Sequence, residues 1–433
     1  MEEFCFVHAA DIHLDSPFAG VGSDSPELAA AFMGSTRQSL RSICDLCVNS
    51  NAAFLVLAGD VFDGAQPGLR AQLELHSCVR RLAGHGIHTY IAHGNHDPLS
   101  TVCARLDWPR EAHFFSDEVQ SYPVVARGRE LAEVQGISYS RPVVTDNLAK
   151  CFAKRPGSPF AIGVLHANVG GLPGHENYAP CTIDDLIATG IDYWALGHVH
   201  THVVLRAERP VIAYPGCAQG RNPRESGEHG CCLVHVDSCG DAVVEFTPTD
   251  RIRWHTMELS IDGMSSIDEL LAALDSGLLA AQRGSDGRSC VARVRLAGRG
   301  PLHSEISRGV SSADLLAAVR EARGLDGGLS WSDADRFIWV ESVVDDTAPE
   351  VDRGALVGEG TLVSDFLNLV DEARAGGDQG LLASIRTALA SDLKRHKQAF
   401  TMVSNMTDEE ILSLLNRAES IGLDLLLGEE AGV

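Results

Sequence analysis

The stretch Ile87-His88-Thr89-Tyr90-Ile91-Ala92-His93-Gly94-Asn95-His96-Asp97 decides how the rest of the chain is read. Its first six residues are apolar and β-branched in the manner of a buried parallel strand. The run breaks at Gly94 into a loop that carries an amide, an imidazole and a carboxylate in succession. Asn95 offers a metal a neutral carbonyl oxygen, His96 offers a transferable proton, and Asp97 is placed to hold that imidazole. Polar side chains beyond the carboxyl end of a central strand are where open α/β sheets put their sites.

Four other stretches follow the same plan. Phe4–Ala9 runs into Asp11-Ile12-His13, and Ala53–Ala58 into Gly59-Asp60-Val61-Phe62-Asp63. Phe160–Leu165 ends in His166, and Tyr193–Leu196 in Gly197-His198-Val199-His200. Helical patterns separate the first three strands. One covers Glu27 to Ser50, with Leu40, Ile43, Leu46 and Cys47 on a stripe; the other covers Pro67 to Ala83, with Leu69, Leu73, Val79 and Leu82 as its apolar face. Strand, helix, strand, helix, strand predicts a parallel unit. Short strands follow between Phe114 and Ser138. A helix over Thr182 to Thr189 is capped by Thr182. Strands at Val211–Tyr214, Cys231–Val236 and Val243–Phe246 are expected to complete a second sheet. The predicted fold is α/β, two sheets flanked by helices, over residues 1–250.

Residues 251–345 read as a smaller α/β unit. Its strands are Thr256–Ile261, Cys290–Leu296 and Arg336–Val344, its helices Ile267–Leu279 and Ser312–Glu321, with turns at 284–287 and 325–328. Residues 346–433 read as helical. Leu362, Val363, Phe366, Leu367 and Val370 form one stripe; Leu382, Ile385, Leu389 and Leu393 another; Ile411, Leu414, Leu415, Ala418 and Ile421 a third. Such faces either pack on their own domain or dock on a partner's helices.

The 433 residues carry a formal charge of −24. That balance opposes indiscriminate binding to nucleic acid or anionic membrane, so any DNA contact needs a local basic patch or metal ions. The start Met1-Glu2-Glu3-Phe4 is acidic and enters a strand directly, so no signal peptide is expected. No apolar run approaches membrane-spanning length. The 12 cysteines are read as reduced thiols, with Cys44, Cys47, Cys231 and Cys232 as core residues. A cytoplasmic location is expected.

The strand ends supply seven nitrogen and oxygen donors: Asp11, His13, Asp60, Asn95, His166, His198 and His200. Asp-x-His and His-x-His let alternate side chains point the same way, and Asp60 is the natural bridge between two ions. A set without thiolates suits Mn²⁺ or Fe²⁺ over a structural zinc. Two such ions clamp the attacking and leaving oxygens of a phosphoryl displacement.

Asp-x-His, Gly-Asp-x-x-Asp, Gly-Asn-His-Asp, a lone His and Gly-His-x-His, in this order, resemble the calcineurin-like metallophosphoesterases over roughly residues 1–240. Within them, Ala-Asp-Ile-His-Leu-Asp-Ser-Pro-Phe (10–18), His-Gly-Asn-His-Asp-Pro-Leu (93–99) and Tyr-Pro-Gly (214–216) look like the SbcD type of DNA-repair exonuclease, nearest in layout to its YhaO-type members. The resemblance implies a four-layer αββα sandwich, a small α/β capping domain and a helical tail. The tail would bind an SbcC-like or YhaN-like coiled-coil ATPase, and a homodimer is a further option. It assigns Asp11, His13 and His200 to one metal, Asn95, His166 and His198 to the other, and Asp60 to both. His96 matches the proton-donating histidine, with Asp97 as its orienting carboxylate. The implied metal is Mn²⁺, with Fe²⁺ and Mg²⁺ as alternatives.

Three readings compete: a nuclease acting on DNA, a phosphoesterase for a small diester such as a cyclic nucleotide, and a non-catalytic subunit of the ATPase. His8, His93 and His202 are read as packing residues or as support behind the ligands, and His175 and His229 as loop residues within reach of substrate. Few bases, among them Arg105, Arg141, Arg221 and Arg224, lie near the site in sequence.

Overall fold

The chain starts one sheet, leaves it to build a second, and then returns. In the computed structural model the described residues are 1–16, 26–126, 128–172, 174–309, 311–322, 336–348, 350–351, 356, 360–374, 387–389 and scattered positions from 403 to 426. Strand β1 (Phe4–Ala9), helix α1 (Pro26–Asn49), strand β2 (Phe54–Ala58), helix α2 (Leu69–Gly84), strand β3 (His88–Ala92) and strand β4 (Ala112–Phe114) form the first stretch. The four strands are parallel, with Val7 opposite Leu55 and Leu57 opposite Ile91. The second sheet takes β5 (Gln120–Ala126), β6 (Arg129–Gly136), β7 (Ala161–His166), β8 (Tyr193–Gly197), β9 (Val203–Arg206) and β10 (Val211–Tyr214), in the order β5-β6-β7-β8-β10-β9. Between β7 and β8 lies the short helix α3 (Ile183–Ala188), closed by a reciprocal capping box between Thr182 and Asp185.

The last two strands of this part depart from expectation. β11 (Gly230–Val236) and β12 (Ala242–Pro248) do not extend the second sheet. They return to the first, β11 lying antiparallel to β1 with Phe4 opposite Val236, and β12 outside it. β3 is accordingly one place from an edge, and β1 and β2 are the central strands.

Both faces of the first sheet are covered at β1, β2 and β3, which is why these strands read as unbroken apolar runs. In β2, Leu55 and Leu57 face α1 and α2, alongside Leu40, Ile43, Cys47, Leu75 and Leu82. Phe54, Val56 and Ala58 face the second sheet, where they join Val134, Ile162, Val164 and Tyr193. Phe6 stacks on Phe54 at 4.8 Å and meets Tyr193 edge-on at 5.1 Å, so aromatic rings seam the two sheets. Trp194, Leu186 and Phe152 fill the outer face of the second sheet. The result is helix, sheet, sheet, helix. Cys44, Cys47, Cys231 and Cys232 are buried in it as free thiols.

The apolar face of α2 also differs from its sequence reading. Val79 and Leu82 are buried, but Leu69 and Leu73 are 58% and 47% exposed. The inward face is Ala71, Leu75, Cys78, Val79 and Leu82. Leu73 stands two residues from Leu75, roughly 200° around the helix.

Beyond residue 250, β13 (Ile252–Ser260), β14 (Ser289–Ala297) and β15 (Ile338–Asp345) form a three-stranded sheet. With them come α4 (Ile267–Arg283), α5 (Leu302–Gly309), absent from the sequence reading, and α6 (Ser312–Ala322). The chain divides into two compact units: residues 1–259 with 271–295 and 311–345, and residues 260–270 with 296–310 and 346–433. In the second unit a helix at Leu362–Arg374 buries Leu367, Val370 and Ala373 and leaves Leu362 and Leu369 exposed. Ile411 and Leu423 are buried there, while Ile421 and Leu425 are exposed. The expected turn at 325–328, Leu382, Ile385, Leu393, and Pro17 and Phe18 lie outside the described residues. Among the described residues no helix is long and apolar enough to cross a membrane.

Candidate metal centre

β1, β2 and β3 run parallel, as do β7 and β8 in the other sheet, with His166 opposite Gly197. Their carboxyl ends meet at one edge of the sandwich, where the five polar stretches converge. Close approach there requires glycine. A Cβ on Gly197 would lie 2.0 Å from the Ala58 carbonyl oxygen, and one on Gly94 would lie 2.3 Å from Asp60 Oδ1. The backbone turns sharply at the donors themselves: Asp11, His13, Asp60 and His198 all have positive φ, at 51°, 47°, 51° and 100°. Non-glycine residues held there cost on the order of 1–3 kcal/mol each, a strain typical of functional sites.

The first cluster is Asp11, His13 and His200, whose ligand atoms lie within 4.8 Å of one another. His13 Nδ1 donates to Asp63 Oδ1 at 3.0 Å, and His200 Nδ1 to Glu225 Oε1 at 2.8 Å. Both Nε2 atoms then carry lone pairs, and they face each other at 3.3 Å. Two facing lone pairs repel unless a cation lies with them. This is the usual pattern of a metal-ligating histidine, one nitrogen on the metal and the other on a carboxylate.

The second cluster is Asp11, Asp60 and His166. His166 Nδ1 donates to the Ala58 carbonyl at 3.0 Å, leaving Nε2 3.0 Å from Asn95 Oδ1 and 3.4 Å from Asp60 Oδ2. Asp60 Oδ2 is also 3.9 Å from His13 Nε2, so one carboxylate borders both clusters. The His198 ring packs 5.2 Å from that of His166, and its Nε2 donates to the Glu176 carbonyl at 2.7 Å, freeing Nδ1. All seven predicted donors thus come to one place.

The electrostatics fit a cation. Asp11 and Asp60 are buried, and among the described residues their charged partners are imidazoles. Burial raises the Asp11 carboxyl. Burial opposes ionisation of Asp60 too, but His166 and His13 hold it below the ordinary carboxylate range. Against burial, Asp60 and Asp11 carry His166 up to about 9, a sign of the negative charge gathered there. Burial pushes His13 and His198 down to about 3, the neutral form that ligates metal.

His96 sits at the rim, its side chain 44% exposed, with Nδ1 3.2 Å from Asp63 Oδ1. That hydrogen bond raises its pKa. Asp97 does not orient His96, contrary to the sequence reading. It is buried, and its carboxylate accepts from the amides of Val61 at 2.8 Å, Phe62 at 3.2 Å and Gly94 at 2.8 Å. Adjacent side chains in a tight loop point apart, and three convergent N–H groups capture the inner one. Asp97 therefore joins the Asp60 loop to the Asn95 loop, and Asp63 takes the place expected for it. Asp63 belongs to the Gly-Asp-x-x-Asp stretch, where its spacing was the available signal.

Glu225 was also missed, since nothing near it in sequence marks a ligand. Arg221 donates to Ser16 Oγ at 3.0 Å and to Asp63 Oδ1 at 3.5 Å. Arg105, Arg141 and Arg224 are exposed. His8 bonds Tyr193 and the Leu196 carbonyl, His93 the Asp97 carbonyl, and His202 the Tyr214 carbonyl. His229 is buried between Cys217 Sγ and the Glu225 carbonyl, away from the role expected of it. His175 does reach the centre, its ring 5.7 Å from that of His198 and 5.8 Å from that of His200.

With this geometry in view, residues 5–202 match the calcineurin-like phosphoesterase family, and residues 254–348 match the middle domain of metallophosphoesterase YhaO. The uncharacterized metallophosphoesterase YhaO of Bacillus subtilis is 34% identical over 352 residues, 81% of this chain and 83% of that protein. The DNA double-strand break repair protein Mre11 of Archaeoglobus fulgidus is 25% identical over 52% of each chain. That of Aeropyrum pernix is 26% identical over 73% of this chain and 77% of its own.

Proposed function

This chain belongs to the calcineurin-like metallophosphoesterase family, and we propose that its reaction is hydrolysis of DNA phosphodiester bonds. It is a phosphoesterase of a family that binds two divalent metals. The observation that carries the reading is the facing Nε2 pair of His13 and His200 beside buried Asp11, with Asp60 reaching both clusters. Asp11, His13 and His200 would hold one ion, Asn95, His166 and His198 the other, and Asp60 both. Mn²⁺ is the proposed metal, with Fe²⁺ and Mg²⁺ as alternatives.

When bound, such ions polarise the phosphoryl oxygens and make water nucleophilic near neutral pH. The remaining work falls to the chain. His96, held through Nδ1 by Asp63 at the rim of the centre, donates a proton to the leaving oxygen. Asp97 keeps the two loops in register. Support for DNA as substrate comes from the similarity to proteins named for double-strand break repair. Exposed Leu362, Leu369, Ile421 and Leu425 support a coiled-coil ATPase of the SbcC-like or YhaN-like kind as partner. Exposed Leu69 and Leu73 support a homodimer.

A second reading, a small diester such as a cyclic nucleotide, is favoured by the charge of −24. The purified protein with Mn²⁺ would be assayed on DNA with several end structures beside bis(p-nitrophenyl) phosphate. Cleavage of both is expected. Hydrolysis of the small diester without any DNA cleavage overturns the DNA reading in favour of the second, and no hydrolysis of either overturns both.

A further inference from the structure

Resting on the reading of this centre as a phosphoesterase, we infer that His175 is a substrate-binding residue that donates a hydrogen bond to a non-bridging oxygen of the phosphodiester. Its ring stands against both His198 and His200, which belong to different ligand sets, so it spans the mouth of the centre. The other imidazoles there have a ring nitrogen committed to the protein: His13 to Asp63, His166 to Ala58, His198 to Glu176, His200 to Glu225 and His96 to Asp63. Among the described residues, no such bond engages the ring of His175. A neutral imidazole always carries one N–H, so a donor is present without any need for ionisation.

The loop backbone that carries this ring is held by hydrogen bonds. Asn168 Nδ2 lies 3.3 Å from the Glu176 carbonyl and 3.5 Å from that of His175, and Asn168 Oδ1 accepts from the Leu172 amide at 2.7 Å. The Asn168 amide donates to the Tyr178 carbonyl at 2.9 Å, and the Ala179 amide to that of Val144 at 2.7 Å. The carbonyl of Glu176, next in the chain, receives the His198 N–H. The backbone beside His175 is thus tied to the contact that sets the tautomer of a ligand. The nearby guanidinium of Arg221 is already held by Ser16, Asp63 and Glu225.

The test compares His175→Phe, His175→Ala and His175→Gln in the full chain loaded with Mn²⁺. Three quantities are measured: bound Mn²⁺ per chain, kcat/KM on bis(p-nitrophenyl) phosphate, and calorimetric affinity for inorganic phosphate. Phe and Ala should retain the full Mn²⁺ count while kcat/KM and phosphate affinity each fall about tenfold or more, the effect of one hydrogen bond to a charged group. Gln, which restores a donor, should recover part of both. Unchanged phosphate affinity in Phe and Ala overturns the inference, and so does loss of Mn²⁺ in either, which would make His175 part of the metal shell. If the unaltered protein hydrolyses no diester, the proposed function fails, while the phosphate affinities still decide the role of His175.

Discussion

Asp63 Oδ1 lies 3.2 Å from His96 Nδ1. The same oxygen accepts from His13 Nδ1 at 3.0 Å, so one carboxylate serves the proposed proton donor and a proposed ligand together. Asp63→Asn keeps the shape and removes the charge. The expected result is a fall of roughly 10–100-fold in both metal affinity and activity, the usual effect of losing a partner behind a ligating histidine. Normal Mn²⁺ affinity with normal turnover would remove Asp63 from both roles.

His96→Ala should separate from that variant. Metal is expected to stay while hydrolysis drops roughly 10²–10⁴-fold, the range of general acid–base catalysis. His96 also lies within 4.8 Å of His13 and Asp60 in ligand-atom terms. Metal analysis is therefore decisive: loss of an ion with the activity would make His96 a ligand.

Asp60→Ala should lower the metal count at both positions and abolish hydrolysis, because Oδ2 is 3.4 Å from His166 Nε2 and 3.9 Å from His13 Nε2. Elemental analysis beside a diester assay checks this. Retention of both ions would exclude the bridging role.

Gly197→Ala places a methyl group 2.0 Å from the Ala58 carbonyl, at the seam between the two sheets. A destabilisation of about 1–3 kcal/mol or more is expected from overpacking, read by urea or thermal unfolding. An unfolding midpoint equal to that of the unaltered protein would show that the strand ends have room to part.

Truncation after residue 345 should leave Mn²⁺ binding and small-diester hydrolysis in place and remove association with a coiled-coil ATPase. Co-purification of the truncated chain with that ATPase at unchanged affinity would refute the docking role. Aggregation of the truncated chain would instead assign Leu367, Val370 and Ile411 to a core the protein needs for itself.

Much of this centre is legible in sequence because a parallel strand followed by a polar loop is a local signal. β1, β2, β3, β7 and β8 each announce themselves by an apolar run, and each donor follows within a few residues. Partnership is a different matter. β11 looks the same whichever sheet it joins, and only its non-local pairing with β1 distinguishes them. Asp97 beside His96 suggests a pair by adjacency, whereas the amides that claim Asp97 belong partly to a loop about 35 residues earlier. Glu225 and Asp63 act through contacts 25 and 50 residues away in sequence, which no periodicity encodes.

The pairing of β1 with β11 also bears on synthesis. A chain emerging from the ribosome has all seven proposed donors once residue 200 is made, yet one side of β1 then still lacks its neighbour. That hydrogen-bonding edge stays open until Val236 is available to face Phe4. β1 is made well before the strand that encloses it, so a nascent chain of intermediate length presents an unfilled template for pairing just beside a nearly finished catalytic edge.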